Sequence, residues 1–494
     1  MSINFKNIPQ NLRVPLFYAE VDNSRANTAQ AVQRTLIIGQ ITSGGTAVPN
    51  VPIICQGVAD AATQGGQDSM LALLTAAYRK ADNFGEVWYL PLADDASATA
   101  ATGTFAFNSP ATANGTLNVY VAGGRYALPV ATTQTTAQLA TALAALINAD
   151  AACPVNASSS TNTVTFTAVN KGLAGNEIDV RVNYGGQLAG ETPVPGLTYT
   201  IVAMVGGATN PSLTTGLANL GAKTFDFIVC PYTDSISLDA LKAFLADTVG
   251  RWSWTTQSYG HFFAARAGTL GTLTTFGTSR NDQHGTVMGV YDSPTPAFIW
   301  AAALTGAAAV SLRADPGTPL HALVIPGVLP PPVQSRFALS DRNTLLFDGI
   351  STCVVGDDGT VYIDNLITTY QKNAFGNADD SYLKVETMFL LAFVLRALRT
   401  VVTSKYARVK LADNGTRFGP GANVVTPNVI RSDLIAQYRE LEAAAYVQNG
   451  DAFKEGLIVQ KSTSNPNRVD VLYPVILINQ LDIFALLAQF RLQA

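Results

Sequence analysis

RTLIIGQIT (34–42), SMLALLTAAYRKADN (69–83) and EVWYLPL (86–92) follow one another as strand, helix and strand. The first is a β-branched run suited to a buried strand and is ended by Gly44 and Gly45. The second carries apolar residues at helical spacing with basic residues in its last turn, and the third returns to strand composition. Parallel strands need a crossover, which a helix supplies, so the trio reads as the βαβ unit of an α/β sheet. The alternation resumes with TFDFIVCPYTD (224–234) as strand and loop, SLDALKAFLADTVGRW (237–252) as helix, GHFFAARAG (260–268) as strand and DQHGTVMGVYDSP (282–294) as a short strand between turns. PAFIWAAALTGAAAVSLRAD (296–315) is a helix rich in small residues, VVGDDGTVYID (354–364) a hairpin turned by Asp-Asp-Gly, and 381–410 and 434–448 are further helices.

Between these halves, from Ala93 to about Gly207, the chain turns rich in Ala, Thr, Ser, Asn and Gly. GTLNVYVAGGRYALPV (115–130) reads as a hairpin, TAQLATALAALINAD (136–150) as an amphipathic helix, and NTVTFTAVNKG (162–172) and EIDVRVNY (177–184) as strands. The simplest account is a small α+β domain inserted into the main sheet. The expected division is an N-terminal arm (1–30), core (31–92), insertion (93–207), core (208–380), an α-rich C-terminal domain (381–474) and a C-terminal arm (475–494).

The ends carry the functional signal. RVPLFYAEVDNSRAN (13–27) has strand composition, and Pro9 and Pro15 confine it to a sheet edge. PVILINQLDIFALLAQFRL (474–492) is dense in Ile, Leu and Phe almost to the last residue. Termini fray unless tied down, so apolar termini point to arms that add strands to neighbouring subunits. Composition agrees: 13% of residues are charged, against ~25% in ordinary globular proteins, and 48% are hydrophobic. Much of the surface is expected to be buried by copies of the same chain.

Other chemistry finds little support. The net charge of −4 offers no basic footprint for nucleic acid. Cys55, Cys153, Cys230 and Cys353 lie far apart without metal-ligand spacing and read as small buried thiols of a reducing compartment. MSINFKNIPQ lacks the features of a signal peptide, and the longest apolar stretches (297–310 and 387–398) fall short of the ~20 residues that span a bilayer. His261, His284 and His321 show no metal spacing; His261 reads as a structural residue in or beside a strand, and RNDQHG (280–285) as a hydrogen-bonded turn. A Ser-His-Asp hydrolase would assemble its triad in space, but no GxSxG elbow supports one. No catalytic residue, metal site or cofactor is expected. One charge pattern stands out: from Arg396 to Arg439, eight basic residues (Arg396, Arg399, Lys405, Arg408, Lys410, Arg417, Arg431, Arg439) face two acidic ones (Asp413, Asp433), a local +6. It reads either as a solvated helix face or as a contact with an acidic partner.

Ten blocks together resemble the contractile tail sheath proteins of Mu-like phages: residues 13–27, KGLAGNEIDVR (171–181), FDFIVCPYTD (225–234), GRWSWTTQSYGHFFAA (250–265), RNDQHG (280–285), SPTPAFIWAAA (293–303), RFALSDRNTLLFDGIST (336–352), LITTYQKNAFGNADDSYLKVETMF (366–389), SKYARVKLADNGTRFG (404–419) and NPNRVDVLYPVILINQLDIFALLAQF (465–490). The resemblance runs from end to end. It implies an α/β, multidomain, mixed-sheet core of subtilisin-like type without catalytic residues, plus the insertion and extended terminal arms. It also implies hexameric rings stacked around an inner tail tube, arms that strand-pair with neighbours, and partners in the tube, baseplate and tail terminator proteins. Nucleic acid and direct membrane insertion are not expected, and the location is the virion tail after assembly in the host cytoplasm. Carried onto this chain, the arm contacts are Val14, Leu16, Tyr18 and Glu20 at one end and Ile483, Ala485, Leu487, Gln489 and Arg491 at the other. The tube-facing residues are Arg396, Arg399, Lys405, Arg408 and Lys410, and the insertion faces outward. The sheath of a phage-tail-like bacteriocin or injection device has the same features, and an inner-tube or capsid subunit is a more distant structural rival.

Overall fold

In the computed structural model, which describes residues 33–419 and 421–492, Thr35–Gln40 (β1) is buried along its whole length, as its β-branched composition requires. The edge strand Ile53–Ile54 (β2), helices Val58–Gly65 (α1) and Met70–Arg79 (α2), and Val87–Leu92 (β3) follow. Ser69 caps α2 by accepting the Ala72 amide at 3.1 Å. A Cβ on Gly39 would lie 2.9 Å from Leu71 Cα, so glycine lets β1 and α2 meet backbone to backbone. β1 and β3 pair in parallel, Leu36 opposite Trp88, which completes the expected βαβ unit.

Residues 101–204 pack around a separate apolar cluster that includes Phe105, Phe107, Leu139, Leu143 and Phe166. It contains Thr102–Ser109 (β4), the hairpin Gly115–Val121 and Gly124–Val130 (β5, β6), Thr136–Asn148 (α3), Val155–Ser160 (β7), Thr163–Ala168 (β8), Val180–Val182 (β9) and Thr198–Val205 (β10). The β5–β6 turn places Ala122 and Gly123 at positive φ (51° and 83°), the two-residue turn whose twist matches that of a hairpin. Thr135 and Gln138 form a capping box at the start of α3. The strands make two antiparallel sheets, β10-β4-β8-β7 and β6-β5-β9. The sequence reading assigns no strand to β4, β7 or β10, whose Thr, Ser and Ala content weakens the alternation signal.

The core then resumes with Thr214–Asn219 (α4), Phe227–Val229 (β11), Ser235–Leu245 (α5), His261–Ala267 (β12), Leu270–Thr278 (α6), Gly285–Val290 (β13), Ala297–Ala314 (α7), Leu339–Phe347 (α8) and the hairpin Thr352–Val355 and Val361–Asn365 (β14, β15). The helix expected over 237–252 stops at Leu245, where Ala246 turns extended ahead of the β-branched Thr248-Val249 and Gly250. The main sheet runs β13-β12-β11-β1-β3-β2, parallel except for β2. α7 is apolar on almost every side and packs as a core helix; a Cβ on Gly306 would lie 2.7 Å from Tyr78 O of α2.

From β1 the chain moves to β3 on one side and later to β11, β12 and β13 on the other. The switch point therefore lies between β1 and β11, where open α/β sheets usually bind ligands at their carboxyl ends. Here a hydrogen-bonded bridge of protein groups crosses the crevice. Gln40 Nε2 donates to Asp94 Oδ1 and to Lys171 O, each at 2.6 Å, and Tyr232 donates its hydroxyl to Gln40 Oε1 at 3.1 Å. Asp94 also accepts the Lys171 amide at 3.1 Å.

The last part comprises Val385–Tyr406 (α9), Lys410–Leu411 and Val424–Val425 (β16, β17), Pro427–Ala443 (α10), Gly450–Gly456 (α11) and the ribbon Ile458–Lys461 and Val469–Leu472 (β18, β19). α10 starts earlier than the apolar pattern at 434–448 suggests, because Pro427 sits at its first turn with φ already set. α9 joins two cores. Phe389 stacks on Phe227 at 5.0 Å in the main core, while Val394 belongs to the cluster of Leu434, Tyr438 and Phe453.

The 101–204 unit also touches the core through Glu177. Its carboxylate accepts a hydrogen bond from the Ala297 amide at the N-terminus of α7, and burial lifts its pKa to about 7 against the pull of Arg266. Part of the residue stays exposed, but Oε2 is buried without a partner among the described residues. Since the folded pKa lies above the unfolded one, folding takes up a proton, and stability falls as pH rises from the ordinary carboxyl range through about 7. Between about pH 5 and about pH 8 the protein should lose roughly 1–3 kcal/mol that Glu177→Gln does not lose, measured by denaturant unfolding. Parallel pH profiles for the two proteins would show that Glu177 does not carry the proton.

Candidate assembly interface

The C-terminal segment is anchored at its root and bare beyond it. Gln448 N donates to Ile476 O at 2.9 Å, Ile478 N to Tyr446 O at 3.2 Å, and Gln448 Nε2 to Leu477 O at 2.9 Å. Tyr438 donates its hydroxyl to Gln448 O at 2.7 Å, which braces the same site. Asp482 closes the root by an ion pair with Lys384 Nζ at 2.7 Å. From there the chain enters solvent: Ile483, Phe484, Leu486, Leu487, Phe490 and Leu492 are 77–91% exposed. Ala485, Gln489 and Arg491 are exposed with them, and no regular secondary structure forms between Ile483 and Leu492. The apolar residues 483, 486, 487 and 490 also satisfy helical spacing, but the segment is not helical. An exposed apolar run on this scale, broken only by Gln489 and Arg491, marks an interaction site. The corresponding N-terminal residues, Val14, Leu16, Tyr18 and Glu20, lie outside the described residues.

The basic strip divides on inspection. Arg396 is spent inside the subunit: its Nη1 lies 2.5 Å from Asp226 Oδ1, and its guanidinium sits 5.3 Å from the centre of the Tyr259 ring. Burial pushes the Asp226 carboxyl up, and Arg396 is the strongest opposing influence. Lys405 pairs with Asp433 at 3.3 Å. Arg399, Lys405, Arg408 and Lys410 are exposed. Sequence reading missed Asp226, Lys384 and Asp482. Asp226 was detectable as a lone acid inside the aromatic run FDFIV, since a buried charge needs a partner.

The histidines hold structure. His261 is buried, shares a hydrogen bond with Thr286 Oγ1 at 2.8 Å, and is kept neutral by burial, which pushes its pKa well down. His284 stacks on Trp252 at 4.6 Å and meets Asp247 Oδ1 at 2.8 Å. His321 Nδ1 stands 4.0 Å from Asp482. Among the described residues no group of His, Cys, Asp and Glu is arranged to hold a metal ion.

Comparison with known proteins decides what the arm belongs to. The chain is 39% identical over all 494 residues to the Mu-like prophage FluMu tail sheath protein of Haemophilus influenzae, covering 100% of both chains. The profile "Phage tail sheath protein central domain" matches residues 206–369, and "Phage tail sheath C-terminal domain" matches residues 377–491. The chain belongs to the phage tail sheath family. It is a structural subunit of a contractile tail sheath of the Mu-like type, a component of the virion tail. Two solved sheath tail proteins are similar in backbone: one from Desulfitobacterium hafniense (13% identity, TM-score 0.47, 95% of this chain and 97% of that one) and one from Listeria innocua (12%, 0.48, 92% and 94%).

In this sheath subunit the exposed run falls at the end of the matched C-terminal domain, while the whole 101–204 unit lies before both matched spans. Because residues 483–492 bury little against the other described residues, removing them should leave the monomer's unfolding free energy unchanged to within about 0.5 kcal/mol. Chemical denaturation of the truncated and full-length monomers measures this. A large loss of stability would mean that the arm folds back on its own subunit in solution.

Proposed function

We propose that this subunit polymerises as hexameric rings stacked around the inner tail tube, and that its arms carry the links between subunits. The exposed apolar run from Ile483 to Leu492 on an ion-paired root is the observation that supports this most. An extended arm gains affinity by adding a strand to a sheet edge, with alternate side chains setting register. On the arm, Ile483, Ala485, Leu487, Gln489 and Arg491 would take one side and Phe484, Leu486, Ala488, Phe490 and Leu492 the other. The N-terminal arm would contribute Val14, Leu16, Tyr18 and Glu20 in the same way.

The ribbon β18–β19 is a suitable receiver. Its strands pair only with each other among the described residues, and Ile458, Val471 and Leu472 are half exposed. A two-stranded ribbon is marginal alone and gains by adding strands. Arg399, Lys405, Arg408 and Lys410 would turn toward the tube, where charge sets orientation more than affinity. The 93–207 insertion would face outward, and the core would retain a subtilisin-like α/β layout used only as scaffold. Assembly in the host cytoplasm, with baseplate and tail terminator proteins at the two ends, completes the reading. Contraction would then be a repacking of the globular contacts between two lattices while strand-paired arms hold, a bistable interface of the rigid-body kind.

Negative-stain electron microscopy across protein and salt concentration tests the reading, with hollow striated tubes as the expected result. Deleting residues 1–22 should leave a folded monomer that forms no tubes; ordered tubes from that variant would sink the arm linkage. Reversing Arg399 and Lys405 to Glu should weaken co-assembly with the tube protein and spare self-association. Unchanged co-assembly would assign these residues to an ordinary solvated face.

A further inference from the structure

Both arm roots are tied to the same helix. At the N-terminus of α9, Lys384 Nζ reaches Asp482 Oδ2 at 2.7 Å and Asn365 Oδ1 at 2.7 Å. Asp482 is the last anchored residue before the exposed run. Twelve positions later on α9, about 18 Å along its axis, Arg396 reaches Asp226. The other carboxylate oxygen of Asp226 accepts the amide of Arg34 at 3.3 Å, and the Asp226 amide donates to Arg34 O at 2.9 Å. Arg34 leads upstream into the N-terminal segment and is itself held by Glu86, whose Oε1 lies 2.6 Å from its Nε.

From this we infer that α9 is the strut that fixes the spacing of Arg34 and Asp482, the points from which the two terminal segments depart, with Lys384 and Arg396 as its positioning residues. The inference rests on the arm reading given above. α9 suits the task because its first half packs in the main core and its second half in the C-terminal cluster, so it is held against rotation from both sides. The ion pairs suit it too. Asp226 is nearly fully buried (4% exposed) and Arg396 mostly so (21%), and such pairs add little net stability over an apolar replacement. What a short, directional pair supplies is geometry. Arg34, by way of Asp226, and Asp482 are both tied to one rigid element, so a pull on one terminal segment would reach the other without passing through the ribbon β18–β19 or the outer unit.

The test pairs disruption with restoration at each end. Lys384→Gln and Asp482→Asn should keep the monomer's thermal midpoint and raise the rate of proteolytic cleavage within 475–492 by about tenfold, because a root held by one fewer contact opens more often. Arg396→Gln should speed hydrogen exchange at the Arg34 amide in the monomer. In assembled tubes, each single variant should broaden the distribution of ring spacings seen by electron microscopy. The exchanged pair Lys384→Asp with Asp482→Lys should restore both cleavage resistance and regular spacing. Wild-type cleavage and exchange rates in all the single variants would overturn the inference, whether or not tubes form. Failure of the wild-type chain to form tubes even with the tube protein would instead overturn the sheath-lattice reading, and the monomer measurements would still decide the strut.

Discussion

Residues 483–492 present large apolar side chains that none of the other described residues covers, and much of the molecule's design answers to that imbalance. An apolar run left in water is costly in proportion to its area, and the cost is relieved only by another surface. The subunit is therefore incomplete as a folded object. Its buried apolar residues lie in the main core, the 101–204 cluster and the C-terminal cluster, while the proposed links between copies lie in a segment outside all three. On the proposed reading, this division would let folding and assembly be separate events.

Charge is used sparingly and at joints. Only 13% of the chain is charged. Arg313 pairs with Asp82 beneath the central sheet and also donates to Gln33 O. Arg181 links the 101–204 unit to Asp292 at 2.9 Å, and Arg125 meets the buried Glu191 within it at 2.6 Å. Arg251 donates to the carbonyls of Gly221 and Lys223 and is pushed down to about 10 by burial. A surface destined to be covered by neighbours has little use for free charge, whereas a seam between packed units gains direction from each ion pair.

The sequence disclosed the parts whose periodicity is undiluted. The strand, helix, strand run at 34–92 was legible because β1 is buried on both faces and so reads as continuous β-branched residues. The arm at 474–492 was legible because nothing polar interrupts it for long. β4 and β10 were not, since Thr and Ala serve a half-exposed strand as well as a loop, and the start of α10 at Pro427 was hidden by the polar stretch before Leu434. Counting charge along the chain grouped Arg396 with its exposed neighbours. Its partner Asp226 lies far away in sequence, and only the fold brings the two together.

The filled switch point has a consequence for the history and use of this fold. Gln40, Asp94 and Lys171 place a structural seam where an enzyme of this architecture would open its mouth to substrate. A scaffold bridged at that position could carry a different inserted module, provided the newcomer supplied its own polar partner for Gln40. If the 101–204 unit faces outward as proposed, that unit is the part of the subunit that could be exchanged between particles while the central sheet stays as it is.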